Sequence, residues 1–574
     1  MSSVSSYWSV ASPAPSEVCA RLSWLHPVIV QVLYNRGLAD PDLVAEFYGK
    51  RIRPDDPFQM KGVPEAVERL LHAVRHDEPI AVYGDFDADG VTSTVLMVQT
   101  LAALGARVRP YIPHRVDEGY GLHEQALKNL HDEGIRLVLT VDCGIRSVTE
   151  VAAGVANGLD MIVSDHHSVG SKLPPALAVI NPRQDDCPYP FDGFAGVGVA
   201  FKLAQALLRS ANGQTALSEE ELLDLVALGT VADMMPLRGE NRLLVRRGLE
   251  ELNRGRRAGV RALSRSAGAP VGSIDATAIG FRLAPRLNAA GRLHTAALAY
   301  DLLATTDETE AEALAAELDK LNRERQRLTD EAVQWARIVL GETPAEEVIL
   351  VAREGLNPGI VGLVASRLKD LHNRPALVAE LGKEEVRGSA RSVPKFDITQ
   401  ALDKCDKDWF VGYGGHAAAA GFTVHHRFLP NLRQRLNELA AEQLGPEDRK
   451  RVLAIDRVLP LTEVDYALLG KLRELEPTGS GNPPPLFAIP DLLVRDARRV
   501  GGDGSHLKLR LSDGFVTVDA IGFGLGSRIG ELPMRVDVAC SLDENVWQGQ
   551  RSLQLLVQDL QAAGRGVPTD SFLL

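Results

Sequence analysis

The chain has few cysteines, few aromatic residues and no long apolar run. Its five cysteines are scattered and include no CxxC pair, which argues against a disulfide framework and favours a reduced, cytoplasmic compartment. No stretch approaches the roughly 18 apolar residues of a membrane span. Residues 1–21 have neither a basic segment nor an apolar core, so we do not expect a secretory signal.

Two common catalytic loops and an excess of positive charge are also missing. The sequence has no GxxxxGK[ST] loop, so a P-loop ATPase is not supported, and it has no GxSxG nucleophile elbow. The 63 basic and 76 acidic residues give a net charge of −13. This excludes a protein coated in basic charge, but a local basic groove could still bind nucleic acid.

The composition is that of an ordinary soluble protein, with 45% hydrophobic and 24% charged residues in 574. That length exceeds one hydrophobic core, so we expect two to four domains. From Ile80 onward, short apolar runs alternate with helical patterns. Strands are predicted at 80–83, 107–112, 137–141, 161–164 and 178–180, and a helix at 91–104. This order predicts an α/β domain whose parallel sheet is covered on both faces.

Three of these predicted strands end in an aspartate: Asp85, Asp142 and Asp165. Asp87 and Asp89 follow the first at every second position, and alternate residues of an extended segment point the same way. Ligands of parallel sheets bind beyond the carboxyl ends of the strands. Close carboxylates repel unless a cation lies between them, and oxygen ligands suit Mg²⁺ and Mn²⁺. The alternative for the first motif alone is an ordinary acidic turn.

Asp165 is followed by His166 and His167, which offer neutral nitrogen ligands beside a carboxylate that can fix their tautomers. A histidine pair by itself is more typical of a surface, but this pair ends a strand of the same sheet. The apolar run 225–232 ends in Asp233, which is a further candidate ligand or an ordinary helix cap. Together these residues predict two metals roughly 4 Å apart that support phosphoester or phosphoanhydride hydrolysis.

The second half of the chain predicts a connector and two more domains. A long helix begins near Asp307-x-x-Glu310 and carries a leucine stripe opposite arginines. A solvated connector is the favoured interpretation, and a DNA-tracking arginine face is the alternative. A second α/β pattern begins near Glu347. Beyond 483–485, short alternating strands predict a β-barrel, with Lys508 and Arg510 facing outward.

We expect the following limits: an N-terminal segment 1–75, a first α/β domain 76–305, a connector helix 306–342, a second α/β domain 343–450, a barrel 451–565 and a tail 566–574.

Four motifs resemble, in order, those of the DHH phosphoesterase superfamily: 84–90, 142–144, 165–167 and 229–233. Three later segments resemble its DHH-associated domain: 355–362, 388–392 and 414–416. Segment 286–292 and the closing β-rich region narrow the resemblance to the bacterial single-strand-specific 5′ exonucleases of that superfamily. The resemblance implies two α/β domains, DHH and DHH-associated, joined by a long helix, with a C-terminal OB-fold barrel that grips single strands.

The resemblance also implies residue roles. The metal ligands would be Asp85, Asp87, Asp89, Asp142, His166 and Asp233. The catalytic group would comprise Asp142, Asp165, His166 and His167, with His167 at the scissile phosphate and Asp165 behind the ligands. Arg115, Ser389 and Arg391 would hold a 5′ phosphate, Arg391 from a glycine-rich turn. Arg282, Arg286, Asn288 and Arg292 would line the path of the strand, and His416 would lie at the cleft.

Two positions depart from the superfamily pattern. Phe86 stands where the first motif usually has tyrosine, and since a phenol is not needed for ligation we expect no loss. Thr478 stands where a family motif at 477–483 usually carries an aromatic residue, which weakens a stacking role there. No acid of the metal set is missing, which argues against an inactive relative.

The resulting hypothesis is a processive 5′ to 3′ exonuclease of single-stranded DNA that uses Mn²⁺ or Mg²⁺ and acts in DNA repair and recombination. The implied partners are single-stranded DNA, single-strand-binding protein and a helicase, with no membrane and a monomeric state. One alternative is a DHH hydrolase of short oligonucleotides, cyclic dinucleotides or pyrophosphate, which the connector and barrel oppose. The other is a binding scaffold, which the intact aspartates oppose.

Overall fold

The computed structural model describes residues 6–50, 55–115, 118–119, 121–211, 213, 215–341, 344–547 and 549–567, so most of the expected tail lies outside the described residues. The chain divides into two compact units. The parallel-sheet unit comprises Gly49–Leu328 and Pro477–Pro483. The barrel unit comprises Met1–Tyr48, Thr329–Glu476 and Pro484–Leu574. Within the described part of the chain, no helix has both the length and the apolar character to cross a membrane.

The strands are β1 (Tyr7–Val10), β2 (Ile80–Tyr83), β3 (Val108–Tyr111), β4 (Leu137–Val141), β5 (Asp160–Ser164), β6 (Ala178–Ile180), β7 (Ile349–Arg353), β8 (Ala376–Leu381), β9 (Glu385–Arg391), β10 (Phe410–His416), β11 (Ala419–His425), β12 (Val452–Ile455), β13 (Arg457–Val458), β14 (Phe487–Val500), β15 (His506–Ser512), β16 (Thr517–Gly522), β17 (Arg535–Trp547) and β18 (Gln550–Ala562).

The helices are α1 (Ser16–Arg21), α2 (Pro27–Asn35), α3 (Pro41–Phe47), α4 (Val63–Arg75), α5 (Ala88–Ala103), α6 (Glu124–Asp132), α7 (Val148–Ala156), α8 (Gly196–Ser210), α9 (Leu223–Ala232), α10 (Gly239–Arg254), α11 (Ala258–Ser266), α12 (Ala276–Ala278), α13 (Ala284–Leu293), α14 (Ala297–Ala304), α15 (Glu308–Leu340), α16 (Val361–His372), α17 (Ile398–Asp403), α18 (Leu429–Gln443) and α19 (Tyr466–Arg473), with a π-helical turn at Ile279–Leu283.

The parallel-sheet unit is built on a five-stranded sheet in the order β3-β2-β4-β5-β6, with every neighbouring pair parallel. Strands β2 and β4 are buried along their whole length, as expected for apolar runs covered on both faces. The predicted strands and their parallel arrangement are confirmed, with limits that shift by at most one residue. The carboxyl ends of β2, β4, β5 and β6 therefore form one edge of the sheet.

The first helix of this unit begins earlier than its apolar pattern predicts. Asp87 is the N-cap of α5, and its Oδ1 accepts hydrogen bonds from the backbone N–H groups of Asp89 (2.9 Å) and Gly90 (3.1 Å). Asp89 therefore lies in the first helical turn. The prediction that all three motif aspartates alternate on an extended segment is wrong, because capping by Asp87 converts the segment to helix after one residue.

The barrel unit contains a mixed sheet and a closed barrel. The sheet has the order β10-β11-β9-β8-β7 and packs α16 against β8 and β9. The barrel runs β14-β15-β16-β18-β17 and closes through pairing of β17 with β14. On β15, Leu507, Leu509 and Leu511 are buried, whereas Arg510 is exposed and Lys508 is half-buried. The predicted inward and outward alternation is confirmed.

The setting of Arg391 differs from the expected one. Arg391 ends strand β9, so the predicted glycine-rich turn is wrong. Gly388 instead permits close strand packing, because a Cβ there would lie 2.5 Å from the Phe422 ring and 2.7 Å from Ala379 Cβ. The glycine of this motif therefore serves the sheet and not a turn.

The connector helix α15 contributes residues to both units. Asp307 Oδ1 accepts a hydrogen bond from the backbone N–H of Glu310 at 2.8 Å, which confirms the predicted cap. On the arginine face, Arg323 pairs with Asp319 at 2.5 Å and Arg327 with Glu324 at 2.6 Å. Ion pairs between residues three or four apart are typical of a solvent-exposed helix face, so they favour the solvated connector.

Candidate metal centre

The carboxyl edge of the parallel sheet gathers buried acids from three strands. Asp85, Asp142 and Asp165 follow β2, β4 and β5, and their relative exposures are 3%, 2% and 1%. Asp89 reaches the same edge from α5 and Asp233 from the end of α9. Buried carboxylates this close are destabilising without a compensating cation or proton.

Three groups of side chains at this edge place their ligand atoms within 4.8 Å of one another. They are Asp85–Asp87–Asp142, Asp89–His166–Asp233 and Asp142–Asp165–His166–His167. His166 is central, since its Nε2 lies 3.1 Å from Asp142 Oδ1, 3.7 Å from Asp233 Oδ2 and 3.9 Å from Asp89 Oδ2. The structure thus brings together the six residues that the sequence proposes as metal ligands.

The acids of this centre resist ionisation when no cation is present. Burial, then the charge of Asp87, raises the pKa of Asp89 to about 7. Burial, then the charge of Asp89, raises the pKa of Asp233 to about 8. Burial also raises the pKa of Asp85 and of Asp142 well above the ordinary range, with neighbouring aspartates adding to the effect. A divalent cation would relieve each of these costs.

His166 is held in the form that binds a metal. Its Nδ1 lies 3.0 Å from the carbonyl oxygen of Phe194, and because a carbonyl can only accept, Nδ1 carries the proton. Burial, followed by the charge of His167, lowers the pKa of His166 to about 3, so Nε2 presents a lone pair. That lone pair faces Asp142 Oδ1, which, like Asp85 Oδ1, accepts no hydrogen bond from the described residues. Facing acceptors of this kind fit a bound cation.

Asp165 differs from the other acids because its oxygens are already satisfied. Its Oδ2 accepts from the backbone N–H of Ile145 at 2.9 Å, and its Oδ1 lies 2.8 Å from His167 Nδ1. Burial alone would raise the pKa of Asp165, but the hydrogen bond with His167 and its charge hold it below the usual value. For His167 burial opposes the charged form, yet Asp165 outweighs it and raises the pKa to about 9. Asp165 therefore fixes the orientation of the His167 ring and favours its charged form.

Glycines allow the acids to approach the helices. The backbone N–H groups of Gly196 and Val197, at the start of α8, donate to Asp89 at 2.7 and 2.9 Å. A Cβ on Gly196 would lie 2.5 Å from Asp142 Oδ1, and one on Gly229 would lie 2.8 Å from Asp89 Oδ1. Sequence patterns carry no signal for these contacts, because nothing in a glycine's surroundings along the chain identifies its neighbours in space.

Two proposed substrate residues lie against the first motif. The Arg115 guanidinium stacks over the Phe86 ring, 4.7 Å from its centroid. Phenylalanine, which replaces the tyrosine of the family pattern, therefore still makes a cation–π contact with this arginine. Asn288 Oδ1 accepts from the backbone N–H of Ala88 at 2.8 Å. A Cβ on Gly291 would lie 2.4 Å from the Phe86 carbonyl oxygen. The segment around Asn288 thus buttresses the metal-binding loop.

The proposed arginines of the strand path occupy different settings. Arg286 Nε donates to Asp319 Oδ1 of α15 at 3.0 Å, and its Nη1 donates to the Arg282 carbonyl at 2.7 Å. Arg282 Nη1 donates to the Gly268 carbonyl at 2.8 Å and its side chain is exposed. Arg292 is half-buried at the end of α13. The contacts of Arg286 are those of a helix–helix tie.

The remaining proposed substrate residues belong to the barrel unit. Arg391 Nη1 donates to Ser389 Oγ at 2.9 Å on the same face of β9. A Cβ on Gly362, near the start of α16, would lie 3.0 Å from Arg391 Nη2 and 3.2 Å from Ser389 Oγ. His416 is exposed at the end of the edge strand β10. A guanidinium, a hydroxyl and the start of a helix thus lie close together, and each is a kind of group that binds anions in proteins.

Models of known families match three parts of the chain. The DHH family N-terminal domain matches residues 79–230, the DHHA1 domain matches 346–442 and the RecJ OB domain matches 455–559. The chain is 39% identical over 563 residues to the single-stranded-DNA-specific exonuclease RecJ of Bacillus subtilis strain 168, covering 96% of this chain and 70% of that relative. The chain belongs to the RecJ family.

Solved RecJ structures share the fold. RecJ of Thermus thermophilus in complex with Mn²⁺ matches with a TM-score of 0.83 at 34% identity, over 97% of this chain and 79% of that one. The same protein in complex with Mg²⁺ matches with a TM-score of 0.77 at 33% identity, over 97% and 78%. The predicted fold class, two α/β domains and a terminal OB-fold barrel, is confirmed by these matches to the RecJ family.

Proposed function

We propose that this RecJ-family chain is a metal-dependent exonuclease that hydrolyses the phosphodiester bonds of single-stranded DNA. The observation that carries the proposal is the buried cluster of acids around His166, in which Asp85 Oδ1 and Asp142 Oδ1 accept no hydrogen bond from any residue that the structure describes. RecJ relatives bear the name of single-stranded-DNA-specific exonucleases, and RecJ structures similar to this chain were solved with Mn²⁺ and Mg²⁺.

The donor set fits two hard divalent cations, because carboxylate oxygens and one neutral imidazole suit Mn²⁺ and Mg²⁺. We assign the two groups that share no residue to one cation each: Asp85, Asp87 and Asp142 to the first, and Asp89, His166 and Asp233 to the second. When bound, such a pair supplies an acidified water and neutralises charge on the reacting phosphate.

The protein's own groups then orient the substrate. Asp165 engages Nδ1 of His167 and favours the charged form of the ring, so the His167 imidazole would donate to a nonbridging oxygen of the scissile phosphate. Asp165 fixes that ring through its hydrogen bonds and is itself too well satisfied to be needed as a ligand. Asp165 thus has a positioning role.

The 5′ end would be selected by Arg115, Ser389 and Arg391. Arg391 and Ser389 are in contact beside the start of α16, which suits a terminal phosphate. Capture of the terminal 5′ phosphate would give 5′ to 3′ polarity. The OB-fold barrel would hold the incoming strand, and a path too narrow for a duplex would make digestion processive and strand-specific.

The wider biological context follows from the family alone. We propose a cytoplasmic role in DNA repair and recombination, with single-strand-binding protein and a helicase as partners and a monomer as the working form. Co-purification of the chain with either partner, and its mass in solution, would test these points separately from catalysis.

The test of the function uses a 5′-labelled single strand, the matching duplex and a dinucleotide, each with Mn²⁺ or Mg²⁺. We expect degradation of the long single strand only. Asp142→Asn and Asp87→Asn should each reduce the rate by about a thousandfold or more, while circular dichroism stays unchanged. Asp132→Asn, an exposed acid of α6, is the control. Full activity in either site variant, or a preference for the dinucleotide, would contradict the proposal.

A further inference from the structure

A second polar motif lies at the same sheet edge as the metal centre. Strand β6 runs parallel to β5, with Ile180 opposite Ser164, and the backbone N–H of Asp165 donates to the Ile180 carbonyl at 3.0 Å. The residue after β6, Asn181, therefore flanks the Asp165-His166-His167 motif. Asn181 is fully buried. The signal that identified Asp142 and Asp165, a polar residue directly after an apolar strand, applies equally to this position.

Asn181 ties two backbones together. Its Nδ2 donates to the carbonyl oxygen of His167 at 2.9 Å, and its Oδ1 accepts from the backbone N–H of Arg183 at 2.8 Å. Because one rigid amide bridges both residues, Arg183 is held at a fixed position beside His167. The bridging side chain has no exposure to solvent, so this arrangement belongs to the folded core.

The Arg183 guanidinium is only partly used. Its Nε donates to the carbonyl oxygen of Asp192 at 3.3 Å, and neither Nη forms a hydrogen bond or an ion pair with any residue that the structure describes. Its side chain is half-buried. No acid that the structure describes is therefore paired with this cation.

We propose that Arg183 binds a phosphate of the DNA strand next to the scissile phosphate. The proposal rests on the exonuclease function proposed above and adds a substrate contact to it. Once two cations neutralise the acids, a half-buried guanidinium with free Nη groups needs an anion, and its planar fork matches two phosphate oxygens. Among the described residues, none bonds to the Arg183 Nη groups, so we assign these groups to a phosphate of the substrate.

The first experiment compares Arg183→Gln and Arg183→Lys with Arg146→Gln. Arg146 is a matched control, because its Nε likewise donates to one carbonyl, that of Ser168 at 2.9 Å, from the neighbouring loop after β4. Arg183→Gln should lower kcat/KM by about 10- to 100-fold, with partial recovery in Arg183→Lys. Arg146→Gln should stay close to wild type. Mn²⁺ affinity and thermal stability should be unchanged in all three.

The second experiment measures DNA binding without catalysis, in an Asp142→Asn background. Loss of one phosphate contact should reduce the slope of log K against log salt by about 0.7 for a single strand. A single neutral methylphosphonate is then moved along the strand. When the methylphosphonate replaces the phosphate that Arg183 contacts, next to the scissile bond, the proteins with Arg183 and with Arg183→Gln should bind the strand equally well.

Unchanged kcat/KM and an unchanged salt slope in Arg183→Gln would overturn the contact. A fall in Mn²⁺ affinity equal to the fall in activity would also overturn it, because Arg183 would then act through the metal centre. An inactive wild-type protein would overturn the proposed function instead, while a salt slope that still depends on Arg183 would support the phosphate contact on its own.

Discussion

Asp142 holds a backbone conformation that ordinary residues avoid, with φ of 62°. Non-glycine residues in this left-handed region are uncommon, and the strain persists only where surrounding contacts enforce it. Here the Asp142 N–H still pairs with Ser164, so the strained turn aims the carboxylate back over the sheet edge. The missing Cβ of Gly196 gives that carboxylate its space. Backbone strain at one residue and a missing atom at another thus set the geometry of the metal centre.

Gly196→Ala is the residue-scale test of this arrangement. The new methyl would lie 2.5 Å from Asp142 Oδ1, so the carboxylate or α8 must move. We expect Mn²⁺ affinity to fall by about 10- to 100-fold, as for other groups that orient metal ligands. Gly154→Ala in α7 is the control, since the nearest neighbours of its methyl would be the flexible ends of Leu127 and Met161, at 3.2 and 3.3 Å. Equal metal affinity in both variants would contradict the idea.

The raised pKa values of the acids predict how the metal-free protein responds to pH. The folded-state values of Asp89 (about 7) and Asp233 (about 8) lie above the roughly 3.9 of an unfolded aspartate. The folded state therefore binds more protons between these values, and stability falls as pH rises through that window. In chelator, Tm should be higher at about pH 6 than at about pH 8.5. Mn²⁺ should remove the difference, and a Tm that rises with pH in chelator would contradict the assignment.

At the scale of elements, strand β9 and helix α16 create the second candidate site. Alternate residues of β9 share a face, which places Arg387, Ser389 and Arg391 on one side of the strand. The last two lie nearest to Gly362, where α16 begins. The pocket therefore depends on how a strand and a helix pack and not on a local turn.

Arg391→Ala should reduce activity on 5′-phosphorylated strands by about tenfold or more, and have less effect on strands with a 5′ hydroxyl. The reason is that removing the guanidinium removes a charge-assisted contact to the terminal phosphate alone. Arg387→Ala, on the same face but exposed, is the matched control. The measurement is the initial rate of digestion of strands with a 5′ phosphate and of strands with a 5′ hydroxyl. A loss that is equal on both ends would refute the role of Arg391.

At the scale of the whole molecule, residues of the first and the last described strands meet in the barrel unit. Strand β1 pairs in parallel with β12, and Trp8 Nε1 donates to Asp559 Oδ2 at 2.9 Å. Helix α2 buries its apolar side in a cluster with Leu468 and Phe487. Residues 6–48, whose role was opaque from sequence, thus complete the core around the barrel.

Trp8→Phe tests this closure. The substitution keeps an aromatic ring but leaves the buried carboxylate of Asp559 without its indole donor. We expect the free energy of unfolding of the barrel unit to fall by about 1–3 kcal/mol. Trp24→Phe, at a tryptophan that is 59% exposed, should change it by less than about 0.5 kcal/mol. Denaturant unfolding, detected by proteolysis of the barrel unit, would measure the change in each variant. Equal changes would disprove a stabilising role of the Trp8–Asp559 hydrogen bond.

Local patterns in the sequence were enough to predict the parallel sheet, the connector helix, the barrel and the set of candidate metal-binding acids. Continuous apolar runs fix buried strands, and polar residues at strand ends must share one edge because parallel strands all point the same way. Asp85, Asp142 and Asp165 were identifiable for that reason. The helical place of Asp89 could have been found too, since an aspartate followed by a short helix-forming segment is a capping signal.

The folded structure was needed to separate the acids that keep an oxygen for a cation from those that already have hydrogen-bond partners. Asp165 and Asp142 look alike in sequence, yet one is satisfied by the Ile145 N–H and His167 while the other keeps an oxygen that no described residue satisfies. Arg286 and Arg183 are both plausible DNA contacts by type, yet the first is tied to Asp319. Such distinctions depend on hydrogen bonds between residues far apart in the chain, and no local pattern encodes those.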